Sequence, residues 1–213
     1  MRKLLIASIV VFIAGSLGSA YLAYWAIYKP NVNLNGRQST YLYIPTGAGF
    51  EKVKELLYSQ NFIQNHSTFE WLAEQKNYKR KVKPGKYFIL SNMNNNQLID
   101  LLRSGKQEPV KVIFTFARTK KELAKKINEQ LEADAEQLED LLNDADFLKT
   151  YGLNVENSMS LIIPNTYEFY WNTSAKKFIE RMAQEYRKFW NEERKAKAKN
   201  IGLSQTEVSV LAS

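Results

Sequence analysis

Between Leu4 and Tyr28 the chain carries no charged residue, and this run constrains the fold more than anything that follows it. Read as a helix rising about 1.5 Å per residue, it exceeds the ~20 apolar residues needed to cross a hydrocarbon core. Arg2 and Lys3 precede the run, and Tyr21, Tyr24, Trp25 and Tyr28 close it as an aromatic belt would at the far interface. Gly18-Ser19-Ala20 offers the small residues of a signal-peptide cleavage site, so a cleaved leader is the competing reading. The apolar run continues past that point, which favours a retained anchor. Basic residues at the N-terminus put that end in the cytoplasm. The expectation is a single-pass protein of the cell (inner) membrane, with residues 1–3 cytoplasmic, 4–28 transmembrane and the body periplasmic or extracellular.

That placement changes the meaning of the charge. A net charge of +8 and a pI near 9.4 would suggest nucleic acid for a cytosolic chain. Outside the membrane the polyanions at hand are lipid head groups and cell-wall polymers, so no nucleic-acid partner is expected. Basic residues crowd most densely in "KNYKRKVKPGK", with Lys76, Lys79, Arg80, Lys81, Lys83 and Lys86. This is either a solvated loop or a contact with an anionic surface. The chain has no cysteine and a single histidine, His66, so neither a disulfide framework, a metal site nor a cofactor is expected.

The exported part reads as two modules. Residues 29–38 ("KPNVNLNGRQ") are polar and without periodicity, a linker. Residues 39–108 begin with a short strand, Tyr41 to Ile44, ended by Pro45 and Gly47. Val53, Leu56 and Leu57 have helical spacing, as do Phe69, Leu72 and Ala73 after Ser67, read as an N-cap. Gly85 opens a second strand to Leu90, and Leu98, Leu101 and Leu102 form a further helix face closed by Gly105. Strand, two helices, strand is similar to the plan of LysM-like sugar-binding modules. Trp71, Tyr87 and Phe88 could stack on sugar rings there, although aromatics at such spacings also read as core.

The pattern restarts at Pro109. Val110, Val112, Phe114 and Phe116 alternate as in a half-buried strand, and Thr119 caps a helix carrying Leu123, Ile127 and Leu131. A helix near Ala135 to Leu142 ends at Asn143-Asp144. A short apolar strand then leads to a turn at Pro164-Asn165. A long amphipathic helix follows, with Phe178, Ile179, Met182, Tyr186 and Phe189 on one face and Gly202 at its end. The fold class is α+β.

Within this module "IIPNTYEFYWNTSA" is the densest polar-aromatic cluster. Asn165, Thr166, Tyr167, Glu168 and Tyr170, with Trp171, offer hydroxyls, a carboxylate and flat ring faces, the mixture a carbohydrate cleft uses. A structural turn with buried aromatics is the alternative. The chain as a whole resembles the endolytic murein transglycosylase family, also called YceG-like: an N-terminal anchor, a LysM-like module, then the start of a catalytic domain over 109–213. The proline, Asp or Asn, threonine, aromatic pattern matches Pro164, Asn165, Thr166 and Tyr167. The ending "EVSVLAS" resembles the lead into the family's Ala-Ser-Ile-Val-Glu-Lys-Glu motif, with Ala212 and Ser213 at its first two positions. Met159-Ser160 and Phe116-Ala117 stand where many members have Glu-Gly, which puts a role for those positions in doubt.

The resemblance implies an enzyme, a lytic transglycosylase. It would cleave nascent peptidoglycan glycan strands between N-acetylmuramic acid and N-acetylglucosamine, leaving 1,6-anhydro ends and limiting strand elongation. One glutamate would act first as acid and then as base, which requires a raised pKa. It would fall about three residues past Ser213, so no catalytic residue is expected among these 213. Asn165, Thr166, Tyr167, Glu168 and Tyr170 would be substrate contacts. Peptidoglycan strands, the membrane, and peptidoglycan synthases or division proteins are the expected partners.

Ser204 and Glu207 form a capping box, flanked at the staple positions by Leu203 and Val208, that starts a helix shortly before the final residue. The chain therefore reads as truncated and catalytically inactive as given. The alternative is a non-catalytic, membrane-tethered peptidoglycan-binding module or scaffold.

Overall fold

Helix α1 (Arg2–Tyr28) is uncharged from Leu4 onward, and Ile6–Tyr28 is long and apolar enough to cross a membrane. A computed structural model describes residues 2–114 and 117–211; the chain divides into two compact units, 1–108 and 109–213.

In the first unit β1 (Ser39–Ile44) pairs antiparallel with β2 (Gly85–Leu90), Tyr41 facing Phe88 and Leu42 facing Tyr87. The period-2 alternation sends Leu42, Ile44, Tyr87 and Ile89 inward. They meet Val53 and Leu57 of α2 (Phe50–Tyr58), Phe69, Leu72 and Ala73 of α3 (His66–Gln75), and Leu98, Ile99 and Leu102 of α4 (Asn95–Ser104). A single 3₁₀ turn, Tyr78–Arg80, joins α3 towards β2. Gly105, at φ 74°, ends α4 in the left-handed conformation that glycine adopts without a Cβ penalty.

Two expectations for this unit fail. The cap of α3 is Asn65, whose side chain accepts from the Thr68 N–H, and not Ser67. Residues 29–38 are no free linker: Val32 and Leu34 are buried in the core, Val32 bridges Ile63, and Pro30 bridges Asn94. The apolar members of "NVNLN" sit two apart, which is strand spacing rather than absence of pattern.

The second unit opens with β3 (Val110–Phe114), antiparallel to β4 (Asn165–Phe169). Phe116, expected to extend that strand, lies outside the described residues. Thr119 caps α5 (Lys120–Asn128), and Asp134 caps α6 (Ala135–Asn143). Asp144 caps a further helix, α7 (Ala145–Lys149), accepting from the Phe147 N–H, so the residue expected only to end a helix also begins one. The Lys120 ammonium holds the loop beyond α7: it donates to the Leu142 carbonyl (2.8 Å), Asn143 Oδ1 (2.9 Å) and the Val155 carbonyl (2.7 Å).

The apolar strand expected before Pro164 is instead a 3₁₀ turn, Ser158–Leu161, and the strand is the polar-aromatic segment itself. Tyr167 and Phe169 decide this, because burying both requires extended alternation onto Val112, Phe114 and Phe178. The long amphipathic helix is two helices. α8 (Ala175–Phe189) ends at Trp190, which leaves helical geometry at ψ 63°, and Asn191 caps α9 (Glu192–Asn200). Gly202, at φ 76°, follows, and Ser204 begins α10 (Gln205–Leu211).

Candidate functional site

Strand β4 separates the expected site residues into two sets. Its register places Tyr167 opposite Val112, Thr166 opposite Ile113 and Glu168 opposite Lys111. Tyr167 is 7 % exposed; its ring lies 5.7 Å from Phe114, and its hydroxyl donates to the Ile163 carbonyl at 2.9 Å. Burial, with a smaller effect from Glu185, raises the pKa of that hydroxyl. It therefore stays protonated and the donor of that bond. Its ring face belongs to the core and offers nothing to a sugar.

Asn165, Thr166 and Glu168 are exposed. Thr166 and Glu168 share the outward face of the sheet with Ile113 and Lys111, and Tyr170, just past the strand, is 58 % exposed. Asn165 Oδ1 accepts from the Thr166 N–H at 2.7 Å, which shapes the entry to the strand. The outward face thus joins hydroxyl, carboxylate and ammonium groups beside one exposed ring surface, with the Asn165 amide exposed at the start of the strand. Hydrogen-bonding groups next to a flat apolar surface are what a carbohydrate needs.

The second segment of interest is the start of α10. Glu207 accepts from the Ser204 N–H (2.7 Å), and Ser204 Oγ accepts from the Glu207 N–H (3.2 Å). These bonds lower the Glu207 pKa, the opposite of what a general acid needs. Val208 packs on the core of the second unit, and α10 lies against both α9 and the 3₁₀ turn Ser158–Leu161. That turn runs through Ile162 and Ile163 into Pro164 and β4. Two segments separated by α8 and α9 in the chain therefore converge at one place. Ala212 and Ser213 lie outside the described residues.

In the first unit Tyr87 is fully buried, while Trp71 and Phe88 are half exposed. Phe88 has a neighbour that sequence reading passed over: the Tyr41 ring is 5.3 Å away, with Lys86 Nζ 3.9 Å above it. The alternation of Tyr41 and Tyr43 with Leu42 and Ile44 was the signal for it. Much of the basic cluster is already engaged. Lys76 pairs with Asp100 (2.6 Å), Lys79 with Glu74 (2.9 Å), and Lys83 donates to the Ser104 carbonyl at the end of α4 (3.1 Å). Arg80 and Lys81 are exposed. His66 stacks on Tyr58 at 3.7 Å between ring centres. No group of His, Cys, Asp or Glu among the described residues could hold a metal ion.

An apolar N-terminal helix leading into an α+β body defines the class, and comparison with known proteins supplies the family. The model of the YceG-like family matches residues 42–213, and the chain belongs to that family. No curated protein matches. Among solved structures, the 2.6 Å crystal structure of a protein described as YceG-like from Listeria monocytogenes is similar, at 19 % identity and a TM-score of 0.44. The alignment covers 79 % of this chain and 60 % of that one, so the chain spans less than two thirds of the length of that relative.

Proposed function

We propose that the protein is a membrane-anchored endolytic lytic transglycosylase acting on nascent peptidoglycan. The observation that carries this reading is the convergence of α10 with the turn feeding β4, since these are the two segments with the family's most specific motifs. One glutamate does both proton transfers. It protonates the glycosidic oxygen as the bond to muramic acid C1 breaks. It then removes the proton from the muramyl C6 hydroxyl, whose oxygen closes on C1 as the 1,6-anhydro ring. A hydrolase would instead need a second carboxylate or a directed water at C1.

Asn165, Thr166, Glu168 and Tyr170 contact the glycan, and Tyr167 supports their strand from below. The LysM-like part of the first unit, residues 39–108, holds glycan through half-exposed rings such as Trp71 and Phe88. Helix α1 spans the membrane once with its N-terminus in the cytoplasm, and chain cleavage beside the synthesis machinery limits strand elongation.

The test is to incubate purified peptidoglycan with this chain and with a version extended through the rest of its reading frame, and to analyse the products by mass spectrometry. The extended protein should yield 1,6-anhydromuramyl ends and the 213-residue chain none. Binding without cleavage by both would favour a tethered wall-binding module. Anhydro ends from the shorter chain would make a residue already present, Glu168 first, the catalyst.

A further inference from the structure

We propose that the first unit is seated on the outer head-group layer of the membrane, as a rigid continuation of α1, through a face that carries no carboxylate. This rests on the reading that α1 spans the membrane. Counted from Leu4, the ~20 residues that cross a hydrocarbon core end near Ala23. Residues 6–22 of the helix are exposed throughout, and Ala23, Trp25, Ala26 and Ile27 are partly covered. The folded body therefore begins where the hydrocarbon ends, at the level of the head groups.

No slack separates the two. Asn95, buried at the start of α4, donates from Nδ2 to the Ala26 carbonyl (2.8 Å) and to Thr68 Oγ1 (3.0 Å). Its Oδ1 accepts from Asn31 (2.7 Å), and Asn31 also donates to the Asn65 carbonyl (2.9 Å) and accepts from the Asn65 N–H (2.7 Å). Ile27 packs on the core of the unit. The Asn31 and Val32 N–H groups both donate to the Met93 carbonyl at 3.0 Å, and Asn33 N–H donates to Phe62 at 2.9 Å. The backbone passes from the last turn of α1 into the core without an unheld residue.

The segments gathered at this end are 29–38, 59–66 and 91–95, and none contains Asp or Glu. Their exposed members include Lys29, Asn33, Arg37, Gln64 and Asn92. The acids of the unit lie elsewhere: Glu51 and Glu55 on α2, Glu70 and Glu74 on α3, Asp100 on α4 and Glu108 beyond it. A carboxylate held against anionic phosphates would be repelled, whereas amides donate to them and Lys29 and Arg37 are attracted. The charge pattern matches the layer that the geometry brings against it.

The chain has no cysteine, so one dye can be placed at will. Gln64→Cys lies in the acid-free face and R80C on the 3₁₀ turn beyond the far end of α3, both at exposed positions. Each full-length variant is labelled with a donor dye and reconstituted in phosphatidylcholine–phosphatidylglycerol liposomes containing an acceptor on the lipid head group. Energy transfer from position 64 should be several-fold stronger than from position 80. Equal transfer in protein that floats with the liposomes would overturn the seating. Failure to float would overturn the spanning reading of α1, so the two failures are told apart.

Discussion

The Tyr167 hydroxyl donates to the Ile163 carbonyl at 2.9 Å, tying the middle of β4 to the turn that introduces it. This bond makes Tyr167 the strut of the site rather than its surface. Tyr167→Ala should cost about 3–5 kcal/mol in chemical denaturation, the scale for emptying a buried aromatic position. Tyr167→Phe keeps the ring and strands one carbonyl, so it should cost about 1–3 kcal/mol. Tyr170→Ala, at an exposed position, should stay within about 0.5 kcal/mol. A Tyr167→Ala protein as stable as the parent would contradict the placement.

Lys120 holds three acceptors from two segments with one ammonium. Burial lowers its pKa, with Glu156 and Glu139 acting in the opposite direction. Lys120→Met preserves the length of the side chain but leaves the Leu142 and Val155 carbonyls without that donor. Loss of about 1–3 kcal/mol in the second unit is expected, together with faster amide exchange in residues 150–157.

The capping box gives α10 a dependence on acid. The Glu207 pKa is lowered on folding, because its carboxylate accepts from the Ser204 N–H. Its stabilisation is therefore complete above the ordinary carboxylate pKa and is lost as pH falls through the lowered folded value. Amide exchange at Ser204, corrected for intrinsic rate, should lose protection over that acid window. E207Q should remove this pH dependence.

The α+β class and the starts of α5 and α10 were legible in the sequence. Thr119 and Ser204 announce helices by local hydrogen bonds that act within a single turn. What misled were features decided by distant partners. Val32 and Leu34 resemble linker residues until Ile63 and the rest of the core close over them. Tyr167 reads as part of a polar cluster until β3, more than fifty residues earlier, supplies the strand that fixes which side chains point inward. The site was thus visible as a composition and not as a face. The aromatic neighbour of Phe88 was missed for the same reason, since Tyr41 comes from the other strand.

Asn31 is the joint between α1 and the first unit, and removing its side chain breaks three hydrogen bonds at once. Asn31→Ala should destabilise that unit by at least about 1–3 kcal/mol, because Asn95 Oδ1 and the Asn65 N–H lose buried partners. In limited proteolysis, cleavage should appear within residues 29–38. Unchanged resistance there would argue against the joint.

If the muramyl C6 hydroxyl, not water, attacks C1 as the glycosidic oxygen leaves, the cut strand takes up no oxygen from the solvent. Cleavage of purified peptidoglycan in water labelled with oxygen-18, read by mass spectrometry of the newly formed ends, tests this directly. The expected products are 1,6-anhydromuramyl ends carrying no label. Reducing ends that each contain one labelled oxygen would show hydrolysis and contradict it.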